Sequence, residues 1–185
     1  MRARANTYNT VVFQFFRTIH EVFRPHWTAP GVPDIDCARL AAHGIRGVML
    51  DLDNTLAPWR SPAIFPGVAA WIAQAKACGL RACIVTNAGS AARVRPIADS
   101  LAIPWVTRAL KPLAGGYRRG MALLGTAPDS TAMIGDMLLT DIIGANRLGL
   151  FTVLVEPKSA REALPARLVQ RPLERLIGRK PRLAR

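Results

Sequence analysis

The sequence has little of several features that would assign it to common classes of protein. Its three cysteines, Cys37, Cys78 and Cys83, lack the spacing of a zinc site. No apolar run approaches the roughly 18 residues that span a membrane, and the amino terminus lacks the apolar core and cleavage site of a signal peptide. These absences favour a cytoplasmic protein with reduced thiols.

Acidic residues are also scarce, because 12 aspartates and glutamates stand against 25 lysines and arginines, for a formal net charge of +13. This excess favours an anionic partner such as a phosphorylated substrate, a nucleic acid or an acidic membrane. An arginine-rich genome would produce the same excess without any binding role. Half of the 185 residues are hydrophobic, which is enough for one folded domain with terminal extensions.

The most informative stretch is Gly47–Trp59, which reads GVMLDLDNTLAPW. Its apolar residues end in two carboxylates, Asp51 and Asp53. A short apolar run bounded by glycine indicates a buried parallel strand, and open α/β sheets bind ligands at the carboxyl ends of such strands. Two adjacent buried acids repel each other, so a divalent cation such as Mg²⁺ is the natural neutralising group. A polar loop with solvated acids is the alternative.

Three further polar motifs follow in order along the chain. Thr86-Asn87 ends a strand-like run, Lys111 precedes a helical pattern, and Gly135-Asp136 ends another apolar run before Thr140-Asp141. Together, the motifs resemble those of the haloacid dehalogenase (HAD) superfamily, subfamily IIIA, and most of all its bacterial YqeG-type branch. That branch is related to mitochondrial phosphatidylglycerophosphatases. The resemblance covers roughly residues 22–156.

Hydrophobic periodicity predicts alternating strands and helices, which indicates an α/β fold with a parallel sheet. The resemblance implies a HAD-like Rossmannoid three-layer fold with strand order 3-2-1-4-5. The intervals between motifs hold one helix and one strand each and leave no room for a cap domain, so the site is expected to be open. The predicted strands are Val48–Leu50, Leu80–Thr86, Ile103–Val106, Thr131–Gly135 and Phe151–Val155; the predicted helices are Ile35–His43, Pro66–Cys78, Ser90–Leu101, Leu113–Leu124 and Leu138–Leu148.

Phosphoryl transfer needs a nucleophile, a proton donor and positive groups that neutralise the negative charge of the phosphoryl oxygens. Asp51 is the candidate nucleophile, which forms an aspartyl-phosphate, and Asp53 is the candidate acid and base. Thr86 and Lys111 are expected to bind the phosphoryl oxygens. Substrate contacts and loop orientation are assigned to Asn54, Thr55 and Asn87.

Mg²⁺ is the expected cofactor. Its predicted ligands are the Asp51 carboxylate, the Asp53 carbonyl and the Asp136 carboxylate, with Asp141 binding through water or orienting the others. The three histidines lie outside every motif and are expected to be non-catalytic: His20, His26 and His43.

The ends of the chain are predicted to differ from the central domain at residues 34–157. Residues 1–33 comprise an amphipathic helix at Thr10–Phe23 and an extended, proline-rich connector. This helix either docks on the domain or lies in a membrane interface. The tail at residues 158–185 has nine basic and two acidic residues and is either solvated or in contact with an anionic surface.

These observations predict a Mg²⁺-dependent phosphomonoester hydrolase that acts on a lipid phosphate such as phosphatidylglycerophosphate. One alternative is a soluble phosphatase acting on a nucleotide, a sugar phosphate or a phosphoprotein. Another is a HAD-like module that binds RNA or the ribosome. The predicted location is the cytoplasm, with peripheral contact to the anionic inner face of the membrane; the lipid head group and the oligomeric state are left open.

Overall fold

The computed structural model describes residues 21–158, which are organised around a parallel sheet of six strands. The spatial order is β1-β6-β5-β2-β3-β4, and every neighbouring pair is parallel. Counted from the motif strand β2, this is the predicted order 3-2-1-4-5 with one strand added at the edge. The strands are β1 (Trp27–Ala29), β2 (Gly47–Leu50), β3 (Arg81–Val85), β4 (Trp105–Val106), β5 (Thr131–Gly135) and β6 (Phe151–Val155).

Helices connect the strands. They are α1 (Cys37–Ala42), α2 (Val68–Ala77), α3 (Ala91–Leu101), α4 (Ala114–Leu124) and the short α5 (Gly144–Asn146). The predicted helix at 138–148 differs, because its first part, Leu138–Ile143, is wound as a π-helix that continues into α5. Two short 3-10 turns, Val32–Asp34 and Pro128–Ser130, complete the regular structure of the described residues.

Both faces of the sheet are buried, which explains the continuous apolar runs of its strands. Side chains alternate along β2, so Val48 and Leu50 belong to a core that includes Trp71 of α2. Met49 points to the opposite face and belongs to a second core that includes Tyr117 of α4. The sheet is therefore the middle of three layers.

Two of the three glycines of α4 are sites of close packing. Gly115, Gly116 and Gly120 all lower the intrinsic helix propensity of this segment. In the structure, a Cβ on Gly120 would lie 2.5 Å from Met49 Sδ, and one on Gly116 would collide with Ala109. Gly120 brings α4 directly onto the sheet, Gly116 brings it against the segment that follows β4, and this packing offsets their low helix propensity.

The amino-terminal segment joins the domain at two places. The predicted connector contributes β1, which pairs with β6 at the edge of the sheet. Before it, Val22 and Phe23 pack against a small core around Leu138 and Ile142. The carboxyl end of the predicted amphipathic helix therefore lies on the domain; residues 1–20 of this prediction and 159–185 of the basic tail fall outside the described residues.

The connections that could carry a cap are short. From β2 to β3 the chain forms a loop and α2, and from β3 to β4 it forms α3. Within residues 21–158, no additional domain is inserted at either place. Across the same part of the chain, no helix combines the length and hydrophobicity needed to cross a membrane.

Candidate active site

The predicted motifs meet at the carboxyl edge of the sheet, because the strands that precede them are parallel neighbours. A cavity of about 630 Å³ opens there. Thr55 and Asp141 are absent from its walls and lie just behind them. The predicted residues that line it are Asp51, Asp53, Asn54, Thr86, Asn87, Lys111 and Asp136.

A buried lysine bridges two of the carboxylates. Lys111 Nζ lies 2.7 Å from Asp51 Oδ1 and 2.6 Å from Asp141 Oδ1. All three side chains are almost fully excluded from solvent, so these ion pairs are short and weakly screened. Lys111 follows β4 and Asp141 follows β5, so residues 30 and 60 positions apart converge on one ammonium group.

A third carboxylate completes an acidic cluster. One oxygen from each of Asp51, Asp136 and Asp141 lies within 4.8 Å of the others. Lys111 supplies one positive charge to the three acids, so the cluster keeps an excess of negative charge when all three are ionised. Grouped carboxylate oxygens are the donors that a hard divalent cation prefers, and the residues present therefore fit a metal ion.

The pKa values of the buried groups reflect their burial and the excess of negative charge in the cluster. Burial raises the pKa of Asp51 to about 7, since the lowering effect of Lys111 is opposed by the charge of Asp141. Burial and the charges of Asp51 and Asp141 also raise the pKa of Asp136 well above its ordinary value. For Lys111, burial lowers the pKa, but the charges of Asp141 and Asp51 more than offset this and hold it above the ordinary value.

The end of β5 is shaped so that the carboxylates can approach one another. A Cβ on Gly135 would collide with the Asp141 carboxylate. Asp141 Oδ2 also accepts a hydrogen bond from the backbone N–H of Met137 at 3.0 Å. Glycine before Asp136 is thus required by the close approach of Asp141.

Two of the predicted substrate residues hold other site residues in place. The Thr55 hydroxyl donates to Asp136 Oδ1 at 3.1 Å. Asn87 forms two hydrogen bonds with the backbone of Lys111: its Nδ2 donates to the carbonyl at 3.0 Å, and its Oδ1 accepts from the N–H at 2.8 Å. This clamp fixes the peptide that carries the bridging lysine, which precedes a cis bond to Pro112.

Thr86 and Asn54 border the cavity from neighbouring strand ends. The buried Thr86 hydroxyl accepts a hydrogen bond from the Ala88 N–H at 3.1 Å, which leaves its own proton for another acceptor. Asn54 has a left-handed backbone with φ of 61° and donates its N–H to the Ala57 carbonyl. Its buried Oδ1 has no hydrogen-bond partner among residues 21–158.

Asp53 occupies a different environment from Asp51. Arg93 grips its carboxylate with two nitrogens, Nη1 on Oδ2 at 2.9 Å and Nη2 on Oδ1. The backbone N–H of Arg60 also donates to Oδ1 at 3.0 Å. Strand β2 ends at Leu50, so the side-chain alternation of a strand does not extend to Asp53.

Three further residues line the cavity and were not predicted as site residues from the sequence: Trp59, Arg60 and Arg93. Arg60 lies 4.6 Å over the Trp59 ring in a cation–π contact. A usable signal for Arg93 was its place in the first turn of the helix after the Thr86-Asn87 motif. A basic residue there faces the same edge of the sheet as the motif itself.

Other polar residues lie away from the site. His26 stacks on Phe151 at the opposite end of β6, and His43 is near the same ring. His20 falls outside the described residues. Asn146 donates to the carbonyls of Val22 and Arg24 at 2.8 and 2.9 Å. It holds the amino-terminal segment on the domain.

A parallel α/β sheet with a buried lysine and an acidic cluster at its carboxyl edge is the arrangement of a HAD-type phosphatase. A family model described as HAD-hydrolase-like matches residues 109–172. The chain is 31% identical over 159 residues to "Probable phosphatase YqeG" of Bacillus subtilis (strain 168), covering 86% of this chain and 91% of that protein. It belongs to the HAD superfamily of phosphatases, in the family of YqeG, as the motifs predicted.

A second relative comes from a green alga. The chain is 31% identical over 156 residues to "Phosphatidylglycerophosphate phosphatase 1, chloroplastic" of Chlamydomonas reinhardtii, and covers 57% of that protein's length. Among solved structures, an uncharacterized protein from Listeria monocytogenes serotype 4b has a TM-score of 0.53 at 17% identity, over 65% of this chain and 84% of that one. This likeness supports the fold.

Proposed function

We propose that the protein is a Mg²⁺-dependent phosphomonoester hydrolase that works through an aspartyl-phosphate. The observation that carries the proposal is the buried Lys111 between Asp51 and Asp141, with Asp136 beside them in an open cavity. Such a concentration of buried acids destabilises the fold unless cations neutralise it. Membership of a family of phosphatases supports the same conclusion.

The chain's own residues can perform both chemical steps. Lys111 holds one oxygen of Asp51, which leaves the other to attack phosphorus and displace the alcohol. Asp53 gives a proton to the departing oxygen and later accepts one from the water that hydrolyses the phospho-aspartate. The Thr86 hydroxyl and the Lys111 ammonium stabilise the charge on the phosphoryl oxygens.

The metal ligands are proposed to be the Asp51 and Asp136 carboxylates and the Asp53 carbonyl. Both oxygens of Asp141 are already engaged, one by Lys111 and one by the Met137 N–H, so Asp141 acts by orienting the site or through water. Bound Mg²⁺ would neutralise the cluster and reduce repulsion between Asp51 and the phosphate. Thr55 would keep Asp136 directed at the ion.

We further propose a lipid phosphomonoester such as phosphatidylglycerophosphate as the substrate. Two relatives are named as phosphatidylglycerophosphate phosphatases, which supports this choice. The turn that carries Lys111 also has exposed leucines at both ends, with Leu110 66% and Leu113 65% exposed. Exposed apolar side chains that flank a residue of the open cavity suit a substrate presented by a bilayer.

Activity measurements test the function directly. The protein should hydrolyse an aryl phosphate and vesicle-embedded phosphatidylglycerophosphate, lose both activities in EDTA and regain them with Mg²⁺. Full activity after exhaustive chelation would contradict the metal proposal. Preference for nucleotides, sugar phosphates or phosphoproteins over the lipid would favour the soluble alternative.

The exposed leucines provide a test of the lipid proposal. Replacing Leu110 and Leu113 together by serine should lower activity on the vesicle lipid relative to the aryl phosphate. Leu123→Ser is the matched control, because Leu123 is also exposed but borders a separate pocket next to Arg81. An unchanged ratio in the double variant would argue against bilayer contact at this turn.

The terminal segments are proposed to contact an anionic membrane. Each near-surface lysine or arginine adds about 1 kcal/mol to binding of an anionic bilayer. The protein should therefore sediment with phosphatidylglycerol vesicles and not with neutral ones, and high salt should release it. Removing residues 1–20 keeps the docked Val22 and Phe23 and should weaken sedimentation. Tight retention on RNA without a preference among vesicles would instead favour the nucleic-acid alternative.

A further inference from the structure

We propose that Arg93 forms a second anion subsite, where it exchanges Asp53 for a negatively charged group on the leaving alcohol of the substrate. The inference rests on the proposed phosphatase function and narrows its substrate class. Preferred substrates would be phosphomonoesters whose alcohol carries another anion, such as a phosphodiester. The proposed role of Asp51 as nucleophile stays the same.

The contacts of Asp53 are the first support. Both of its oxygens are occupied, Oδ2 by Arg93 and Oδ1 by Arg93 together with the Arg60 N–H. Because Arg93 holds both oxygens, the carboxylate cannot turn toward a leaving group while this two-point contact persists. If Asp53 serves the leaving oxygen, then part of this grip must be released when substrate binds.

The second support is the exposure and the hydrogen bonding of the Arg93 side chain. It lines the cavity and is 19% exposed, so a ligand can reach it without unfolding α3. Its buried Nε has no hydrogen-bond partner among residues 21–158. Buried donors are almost always satisfied in folded proteins, so the unpaired Nε indicates that the guanidinium can gain a hydrogen bond when it changes position.

The position of Arg93 points to the leaving group rather than to the transferred phosphoryl group. Lys111 is buried next to Asp51, where the phosphorus would be attacked. Arg93 instead contacts Asp53, the residue proposed to face the departing oxygen. A second anion on the departing alcohol would therefore arrive near the guanidinium. The planar fork of arginine matches the two oxygens of a phosphodiester as well as it matches a carboxylate.

The exchange preserves the number of ion pairs. Arg93 gives up the Asp53 carboxylate and gains the substrate's second anion, while Asp53 becomes free to approach the leaving oxygen. An alcohol without a second anion offers no such compensation, because the Arg93–Asp53 pair must break unaided. Discrimination should therefore be visible in kcat/KM, with most of the effect in KM.

Two soluble substrates test the idea with one variant and one control. Glycerophosphoglycerol phosphate, the deacylated lipid head group, carries a phosphomonoester and a phosphodiester, whereas glycerol 3-phosphate carries the monoester alone. The wild type should prefer the former in kcat/KM. Arg93→Gln should reduce this preference about tenfold, since a charge-assisted hydrogen bond contributes on this scale. Arg95→Gln removes the same charge from an exposed position of α3 and should preserve the preference.

A binding measurement on the wild type keeps the test independent of the variant's folding. Glycerophosphoglycerol, which has the diester and lacks the monoester, should inhibit hydrolysis competitively, and glycerol at the same concentration should not. Arg93→Lys should retain part of the preference, because it keeps the charge and loses the fork. Equal kcat/KM for both substrates in the wild type, or an unchanged preference in Arg93→Gln, would overturn the subsite while leaving the phosphatase function intact. Hydrolysis of neither substrate, nor of aryl phosphate, would overturn both proposals.

Discussion

Asp51 and Asp53 are two residues apart and carry the same side chain, yet the fold gives them opposite surroundings. Asp51 is buried against Lys111 in a cluster with two other acids. Asp53 lies at the mouth of the cavity, with its side chain 24% exposed and paired with Arg93. One carboxylate therefore experiences excess negative charge, and the other has a dedicated positive partner.

The two environments suit Asp51 and Asp53 to different chemical roles. A carboxylate fixed by Lys111 in a buried acidic cluster is suited to attack phosphorus and to share a metal ion. A carboxylate at the solvent-accessible mouth is suited to exchange protons with a leaving group and water. Environment assigns distinct roles to neighbouring acids in many hydrolytic sites, and the same principle applies here.

The largest expected effect is at the buried member of the pair. Asp51→Asn keeps the shape of the side chain and removes the attacking charge, so hydrolysis of an aryl phosphate should fall by roughly a thousandfold or more. A melting curve should show that the fold survives. Asp99→Asn, at an exposed position of α3, is the control and should keep full activity. Near wild-type turnover in Asp51→Asn would remove Asp51 from the role of nucleophile.

Asp53→Asn should have a smaller effect that depends on the substrate. Removing a positioned proton donor costs on the order of a hundredfold for an alkyl phosphate, whose leaving group needs the proton. An activated aryl phosphate should lose much less activity in the first step. The comparison is made by single-turnover measurements on both substrates. Equal losses would mean that Asp53 does not act as an acid and that the contrast with Asp51 is structural.

Lys111→Met tests the electrostatics of the buried cluster through the free energy of unfolding. The change leaves the buried carboxylates of Asp51 and Asp141 without their shared cation, and loss of one partner of a buried ion pair typically costs about 3–5 kcal/mol. Lys76→Met is the control, because Lys76 is exposed and its partners among residues 21–158 are the backbone carbonyls of Leu101 and Ala102. Denaturant unfolding in EDTA measures both variants. A loss at Lys111 no larger than the loss at Lys76 would contradict the electrostatic account of the cluster.

A further expected effect is a pH dependence of stability in the absence of metal. The pKa of Asp51 is raised to about 7 in the folded protein, whereas an unfolded aspartate titrates near pH 4. The native state therefore binds the proton more tightly, and this stabilisation is complete below about pH 4 and lost as the pH rises to about 7. The melting temperature in EDTA should fall across this range.

Two comparisons identify the source of this pH dependence. Asp51→Asn has no proton to lose at this position, so its melting temperature in EDTA should vary less between pH 5 and pH 8. Mg²⁺ should stabilise the wild type more at pH 8 than at pH 5, because metal binding requires the ionised carboxylates. The same pH slope in the variant and the wild type would show that Asp51 does not titrate in this range.

Local patterns in the sequence were sufficient to predict the central strands and the edge of the sheet that carries the motifs. The apolar runs of β2, β3 and β5 are short, continuous and buried on both faces, so their composition and the turn signals around them identified them as strands. The polar motifs follow these runs directly, and parallel strands place their carboxyl ends at one edge. The strand order and absence of an inserted domain within residues 21–158 followed from the family resemblance and the spacing of the motifs, and the structure agrees.

The directions and partners of individual side chains were decided by the tertiary structure. The pairing of Asp53 with Arg93 joins residues 40 positions apart, and the clamp between Asn87 and Lys111 joins residues 24 apart. No local periodicity encodes such contacts, because each depends on the turn after a strand and on the place where a distant helix begins. The edge strand β1 likewise becomes a strand only by pairing with β6, far along the chain. Sequence patterns determine which backbone segments are buried, whereas the charge around each buried carboxylate depends on which distant residues the completed fold brings to it.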